Sequence, residues 1–126
     1  MFGRRERWQP EAVELHCLIV DDSRRFLQAA SRLLELQGAR IVGMATTGAE
    51  AVALTEELRP DVVLVDVGLR EESGFDVAAL LDGVPVIMIS TQDGADLAQL
   101  VEASRAIGFL PKSGLSCAAI RDLLST

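Results

Sequence analysis

Residues 17–23 read Cys-Leu-Ile-Val-Asp-Asp-Ser, a short apolar run that ends abruptly in two carboxylates and a hydroxyl. An unbroken apolar run of this length is typical of a strand buried on both faces of a parallel sheet. Comparable runs recur downstream, separated by stretches whose apolar residues repeat at helical spacing. The alternation predicts an α/β fold with five parallel strands, over residues 17–20, 40–45, 62–65, 84–89 and 108–110.

Helices are predicted between these strands. Apolar residues recur at helical spacing from Phe26 to Leu34, Gln37 continues the spacing, and Gly38 follows as a suitable C-cap. Thr47 can cap a second helix, which ends before Pro60. Three further helices are predicted over approximately residues 75–81, 95–106 and 115–124. Right-handed crossovers place such helices on both faces of the sheet.

The composition fits a single folded domain. The chain has 126 residues, 49% of them hydrophobic, and a formal charge of −7, which suits one domain with its own core. Residues 1–15 hold three Arg and three Glu and show neither helical nor strand spacing, so we predict a flexible N-terminal arm. Residues 16–126 form the predicted domain, and no repeat or linker divides them.

The same composition disfavours several functional classes. An acidic chain with 4% aromatic residues has neither the basic surface nor the stacking platform of a nucleic-acid-binding protein. No apolar run approaches the roughly 20 residues that cross a bilayer, and the first 15 residues lack the apolar centre of a signal peptide. We therefore expect a cytoplasmic protein without nucleic-acid or membrane partners. Cys17 and Cys117 lack the neighbouring ligands of a zinc site, and we predict buried packing roles for both.

Several conspicuous side chains have structural explanations. Phe26, Phe75, Met44 and Met88 fall on the apolar positions of predicted helices and strands, so we predict that they belong to the core. His16, the only histidine, precedes the first strand and has no nucleophile at a matching strand end. We expect it to lie at the surface.

Chemically active residues occupy the ends of four predicted strands. Asp21 and Asp22 end the first strand, Asp66 the third and Ser90 the fourth, and Lys112 follows the fifth. The carboxyl ends of parallel strands meet at one edge of an open sheet, so these side chains should converge. The pair at the first strand could equally form a solvated turn on its own, but three converging carboxylates repel one another unless a cation lies among them. Mg²⁺ suits them, because it binds carboxylates and keeps positions for phosphate oxygens.

Together these residues resemble the receiver domain of bacterial two-component response regulators. The matching motifs are Leu-Ile-Val-Asp-Asp-Ser at 18–23, Asp-Val-Val-Leu-Val-Asp-Val-Gly-Leu at 61–69, Gly74, Pro-Val-Ile-Met-Ile-Ser at 85–90 and Gly-Phe-Leu-Pro-Lys at 108–112. The resemblance extends from about residue 16 to residue 124. It implies a doubly wound, flavodoxin-like sheet of five parallel strands in the order 2-1-3-4-5. Helices one and five would lie on one face, and helices two, three and four on the other.

The resemblance also implies a role for each matching residue. Asp66 would be the phosphoacceptor, and Lys112 and Ser90 would bind the phosphoryl group. Phe109 would be the switch aromatic that moves with Ser90. The implied Mg²⁺ ligands are Asp22, Asp66 and the carbonyl of Gly68, with Asp21 as an outer or water-mediated ligand. The chain departs from the common receiver pattern at Arg70 and Ser113, where many receivers have Pro.

The implied function is a phosphorylation-dependent signalling switch. A histidine kinase or histidine phosphotransfer protein would phosphorylate Asp66, and the face formed by helix four, strand five and helix five would bind an unknown downstream protein. Such a chain is a substrate and a switch, not an enzyme. Because the sequence ends with the fifth helix, we expect either a single-domain regulator, which Met1 favours, or a receiver excised from a longer chain.

Two alternatives belong to other functional classes. A pseudo-receiver would act as a constitutive protein-interaction module and never accept phosphate, but the complete acidic set argues against it. A magnesium-dependent phosphohydrolase would need a further acid or base beside its nucleophile. Position 68 is Gly, which supplies neither.

Overall fold

Strands and helices alternate along the chain in the computed structural model, which describes residues 14–91 and 97–126. The strands are β1 His16–Val20, β2 Arg40–Ala45, β3 Val62–Asp66, β4 Val86–Ser90 and β5 Gly108–Pro111. The helices are α1 Arg24–Leu36, α2 Gly48–Leu58, α3 Gly74–Ala79, α4 Ala98–Glu102 and α5 Cys117–Ser125. A 3₁₀ turn, Lys112–Gly114, separates β5 from α5. Each predicted strand and helix is therefore present.

The strands form one parallel sheet in the order β2-β1-β3-β4-β5, which confirms the predicted topology. The three central strands are almost entirely buried, as their unbroken apolar runs predict. Because β1 and β3 are neighbours, the residues that follow them lie side by side at the carboxyl edge of the sheet. This adjacency brings the carboxylates of the candidate site together.

Helices cover both faces of the sheet in the predicted arrangement. One buried cluster joins the sheet to α1 and α5 through Leu34 and Ile120. The second cluster joins the opposite face to α2 and α3 through Ala51 and Val77, and Val101 of α4 packs against it. The carboxyl edge of the sheet is thus framed by α1 and α5 on one side and by α2, α3 and α4 on the other.

Side-chain caps set where the helices begin. Ser23, Thr47, Ser73 and Ser116 each accept a hydrogen bond from a backbone N–H in the first turn of the helix that follows. Such a cap satisfies one of the N–H groups that the helix leaves unpaired. Gly38 has a φ of 101° just beyond α1, a backbone conformation that other residues avoid. The predicted cap at Thr47 is confirmed. The C-cap of α1 is Gln37, so Gly38, which was predicted as the C-cap, lies one residue beyond it.

Helix α4 is shorter than the sequence pattern predicts. It ends at Glu102, whereas the prediction extended it to residue 106; residues 95 and 96 of the prediction lie outside the described residues. The Ser104 hydroxyl donates to the Val101 carbonyl at 2.7 Å and accepts the Ala106 N–H at 3.1 Å. A serine that bonds its own backbone competes with the helical hydrogen bonds, and the helix ends there.

Burial differs from the prediction at two positions. Leu15, assigned to the flexible arm, is fully buried, and its carbonyl accepts the Arg40 N–H at 2.8 Å. It therefore belongs to the core, and residues 1–13 of the predicted arm lie outside the described residues. Met44, predicted as core, is 46% exposed. The prediction was wrong there because β2 is an edge strand with one neighbour, where an apolar run is not buried on both faces.

Two further predictions concern packing and membranes. Cys17 and Cys117 are buried free thiols, as predicted. No helix within residues 14–91 and 97–126 has the length and apolar character needed to cross a bilayer.

Candidate functional site

Three carboxylates converge at the carboxyl edge of the sheet. Asp21 and Asp22 follow β1, and Asp66 ends β3. One oxygen from each carboxylate lies within 4.8 Å of the others. Asp21 is fully buried, and Asp66 is 8% exposed. The predicted convergence is therefore present, and it follows from the pairing of β1 with β3.

Hydrogen bonds hold Asp21 in a single orientation. Its Oδ1 accepts the Ser23 N–H at 2.9 Å, and its own N–H donates to the Ala45 carbonyl at 2.9 Å. The first of these bonds ties the carboxylate to the residue that caps α1. The remaining oxygen, Oδ2, is buried and faces the ammonium of Lys112.

Lys112 reaches this carboxylate cluster from β5, although two strands separate β5 from β1. Its Nζ lies 2.6 Å from Asp21 Oδ2 and 3.5 Å from Asp66 Oδ1, and its side chain is only 15% exposed. An ammonium that is largely shielded from water is stabilised by such partners, because it has lost part of its hydration. The predicted convergence of Lys112 on the carboxylates is thus present in the structure.

The carboxyl group of Asp66 has a raised pKa. The pKa is raised from 3.8 to about 6; burial is the largest cause, the charge of Asp21 and more weakly that of Asp22 act in the same direction, and Lys112 opposes the shift. Desolvation and neighbouring negative charge both disfavour the ionised form. A cation bound among the three carboxylates would remove that penalty.

This raised pKa predicts a pH-dependent gain in stability for Asp66→Asn in metal-free buffer. A carboxyl that holds its proton more tightly when folded lowers the free energy of unfolding as pH rises from about 4 to above 6. The neutral amide avoids this loss. We expect the variant to be about 2 kcal/mol more stable than the wild type at pH 7.5, with most of the gain absent at pH 4.

Urea unfolding in EDTA at the two pH values measures this difference. Asp76→Asn is the control, since Asp76 is an exposed carboxylate in the first turn of α3. It should give no such gain. Equal stability of Asp66→Asn and wild type at pH 7.5 would contradict the assigned burial and repulsion at Asp66.

The other predicted site residues lie around the cluster. Ser90 is buried at the end of β4, and Gly68 lies two residues past Asp66, where it pairs with Ser73 in an isolated bridge. Phe109 is half-buried in β5 and packs against the cluster that α2 and α3 share. In the sheet register Phe109 lies beside Met88, two residues before Ser90, so Phe109 and Ser90 project from the same face.

Two neighbours of the site were not assigned to it from the sequence. Phe26 was predicted as a core residue, and its ring also lies under the Lys112 ammonium, with Nζ 4.2 Å from the ring centroid. Arg70 was noted only as a departure from a motif, and its Nε lies 3.8 Å from Asp22 Oδ2 on a side chain that is 79% exposed. Helical spacing alone explains an apolar residue at position 26, so no separate sequence signal marks its second contact.

The comparison with known proteins decides the family. Residues 17–122 match the response regulator receiver domain. This chain belongs to that family. As a receiver, it is 38% identical over 90 residues to the transcriptional regulatory protein KdpE of Mycobacterium tuberculosis, covering 68% of this chain and 39% of KdpE.

The chain is also similar to proteins whose names describe other activities. The receiver is 35% identical over 112 residues to a protein-glutamate methylesterase/protein-glutamine glutaminase of Pyrococcus horikoshii, covering 82% of this chain and 30% of that protein. It superposes on the chemotaxis protein CheY4 of Vibrio cholerae with a TM-score of 0.73 and 26% identity, covering 90% of this chain and 98% of the other. The chain thus spans less than half the length of these two curated relatives.

The residues of this receiver suit a divalent cation. A hard cation prefers oxygen ligands, and the three carboxylates present three oxygens within 4.8 Å of one another. Asp21 and Asp66 share the Lys112 ammonium, and the charges of Asp21 and Asp22 add to burial in raising the pKa of Asp66. The acidic pocket of receivers, where Mg²⁺ binds, is therefore present in this chain.

Proposed function

We propose that this receiver is a cytoplasmic signalling switch that accepts a phosphoryl group on Asp66 from a histidine kinase or a histidine phosphotransfer protein. The observation that carries the proposal is the placement of one largely shielded ammonium, Lys112, between Asp21 and Asp66 at the edge of the sheet. The same edge holds the three carboxylates that could bind Mg²⁺.

In the proposed reaction one bond forms and one bond breaks. A carboxylate oxygen of Asp66 attacks phosphorus, the new O–P bond forms, and the P–N bond to the donor histidine breaks. The imidazole leaves with the electron pair and takes up a proton. Asp66 must be ionised to attack, so the groups that favour its charged form also favour the reaction.

Counter-charge is the main contribution of the surrounding residues. Lys112 already lies 3.5 Å from Asp66 Oδ1, so its ammonium is within reach of oxygens on a phosphoryl group attached there. When bound, Mg²⁺ supplies Lewis acidity toward those oxygens. Its proposed ligands are Asp22, Asp66 and the carbonyl of Gly68, with Asp21 as an outer or water-mediated ligand.

Phosphorylation of Asp66 would change the conformation of the face formed by α4, β5 and α5. The Ser90 hydroxyl can donate to a phosphoryl oxygen, and Phe109, on the same face of the sheet, would follow it. Shifting the ratio of active to inactive conformations from 1:99 to 99:1 requires about 5.5 kcal/mol. One hydrogen bond to a charged group contributes only about 1.5–3 kcal/mol. Lys112 must therefore contribute as well.

This role makes the domain a substrate and a switch rather than an enzyme. Gly68 offers no side chain that could activate water against an external substrate. The moving face would bind an unidentified downstream protein. Neither nucleic acid nor membrane is a proposed partner of this domain.

Intact mass after incubation with acetyl phosphate and Mg²⁺ tests the proposal. The wild type should gain one phosphoryl mass, and Asp66→Asn should gain none. The control Asp76→Asn, which removes an exposed carboxylate of α3, should label like the wild type. In the labelled wild type, amide chemical shifts should change at Phe109 and in α4 as well as at the carboxylates.

Two results would contradict the proposal. An unlabelled wild type would favour a pseudo-receiver that acts as a constitutive interaction module. Labelling with shift changes confined to the carboxylate cluster would leave Asp66 as the phosphoacceptor and remove the proposed switch through Ser90 and Phe109.

A further inference from the structure

The ammonium of Lys112 has an aromatic partner in addition to its two carboxylates. Its Nζ lies 4.2 Å from the centroid of the Phe26 ring, within the distance at which a cation is attracted to a ring face. The Lys112 side chain is 15% exposed, so little water competes for the charge. A cation–π contact is strongest in such a desolvated place.

The helix cap that orients Asp21 also fixes the ring. Ser23 donates its N–H to Asp21 Oδ1 at 2.9 Å, and its hydroxyl accepts the Phe26 N–H at 3.2 Å. Phe26 further packs against the buried cluster that α1 and α5 share. One turn of backbone therefore positions both the carboxylate and the ring that Lys112 contacts.

The ring differs from the carboxylates in how it responds to the reaction. Asp21 and Asp66 are proposed ligands of a cation, which would compete with Lys112 for their oxygens. Asp66 is also the proposed acceptor, so one of its oxygens enters the new bond to phosphorus. The face of Phe26 attracts the ammonium throughout, because a phenyl ring neither binds the metal nor reacts. It is the one of these three partners whose contact with Lys112 does not depend on the reaction.

We propose that Phe26 is a positioning residue, whose ring holds the Lys112 ammonium beside Asp66 through a cation–π contact while the phosphoryl group is transferred. This role rests on the proposed function. If Phe26 serves only in packing, the rate of Asp66 labelling should depend on the shape of the ring. The positioning role predicts that the electrostatic character of its face matters.

Site-specific fluorination separates the two roles, because it weakens the negative ring face and hardly changes the ring's shape. Phe26 is replaced by 4-fluoro-, 3,5-difluoro- and 3,4,5-trifluorophenylalanine, and the rate of Asp66 labelling from acetyl phosphate is measured at fixed Mg²⁺. We expect the rate to fall at each step, by about fivefold over the series. Thermal unfolding of each variant verifies that it is folded.

Two controls identify the contact responsible. The same series at Phe75, which packs against the opposite core cluster, should leave the rate unchanged. In a Lys112→Ala background, fluorination of Phe26 should also have no effect, because the cation is gone. Phe26→Leu should label more slowly than Phe26→Tyr, which keeps an aromatic face.

The outcomes distinguish this role from the function on which it rests. A labelled wild type whose rate is constant across the Phe26 series would overturn the positioning role and leave the proposed function standing. An equal fall in the Lys112→Ala background would overturn it too. A wild type that does not label would overturn the proposed function, and the positioning role with it.

Discussion

Removal of divalent cations should abolish the labelling of Asp66, and Asp22→Ala should cause a comparable loss with Mg²⁺ present. The cluster holds three carboxylates and the largely shielded ammonium of Lys112, and an incoming phosphoryl group adds further negative charge. Although Lys112 lowers the pKa of Asp66, this pKa remains raised to about 6. We expect the labelling rate to fall by about a hundredfold or more in either case.

A time course of intact mass at several Mg²⁺ concentrations, with and without excess EDTA, measures this dependence. Asp76→Ala, which removes an exposed carboxylate on α3, should retain the wild-type response to Mg²⁺. Asp22→Ala should need far more Mg²⁺ or not label. Wild-type labelling at full rate in EDTA would show that the carboxylate cluster is not a metal site.

Gly74→Ala should strongly destabilise the fold. A Cβ at this position would lie 1.9 Å from the carbonyl oxygen of Asp66 and 3.0 Å from the Cα of Val67. Both are backbone atoms, so no side-chain rotation can relieve the overlap. The start of α3 or the end of β3 would have to move, and we expect the free energy of unfolding to fall by about 3 kcal/mol.

Thermal and urea unfolding measure the loss, which corresponds to a lowering of Tm by roughly 10–15 °C. Gly68→Ala is the matched control, because a Cβ there meets nothing within 4 Å. Its stability should stay within about 0.5 kcal/mol of the wild type, and labelling should persist, since alanine keeps the carbonyl proposed as a metal ligand. Equal stability of the two variants would contradict the close approach of α3 to Asp66.

The sequence by itself was sufficient for the order of the sheet and for the grouping of the carboxylates with Lys112. Runs such as residues 62–65 mark buried parallel strands because an apolar run covers both faces. Side chains that follow such strands must then meet at one edge, which is why Asp21, Asp66 and Lys112 could be grouped before their distances were known. Some helix starts could also be predicted from the sequence, because a cap such as Thr47 bonds the first turn of the helix that directly follows it.

Tertiary structure decided the features that depend on distant neighbours. Leu15 is buried and Met44 is half exposed, because burial depends on which strands lie alongside. The length of α4 depends on hydrogen bonds that Ser104 makes with its own backbone, against the apolar pattern. Phe26 satisfies helical spacing whether or not it meets a lysine, and only the folding of α1 against the end of β5 brings Lys112 over its ring. The spacing of residues along the chain determines which face of a helix or strand each one occupies and which residues reach the edge of the sheet. Contacts between residues far apart in sequence are set by the packing of whole helices and strands.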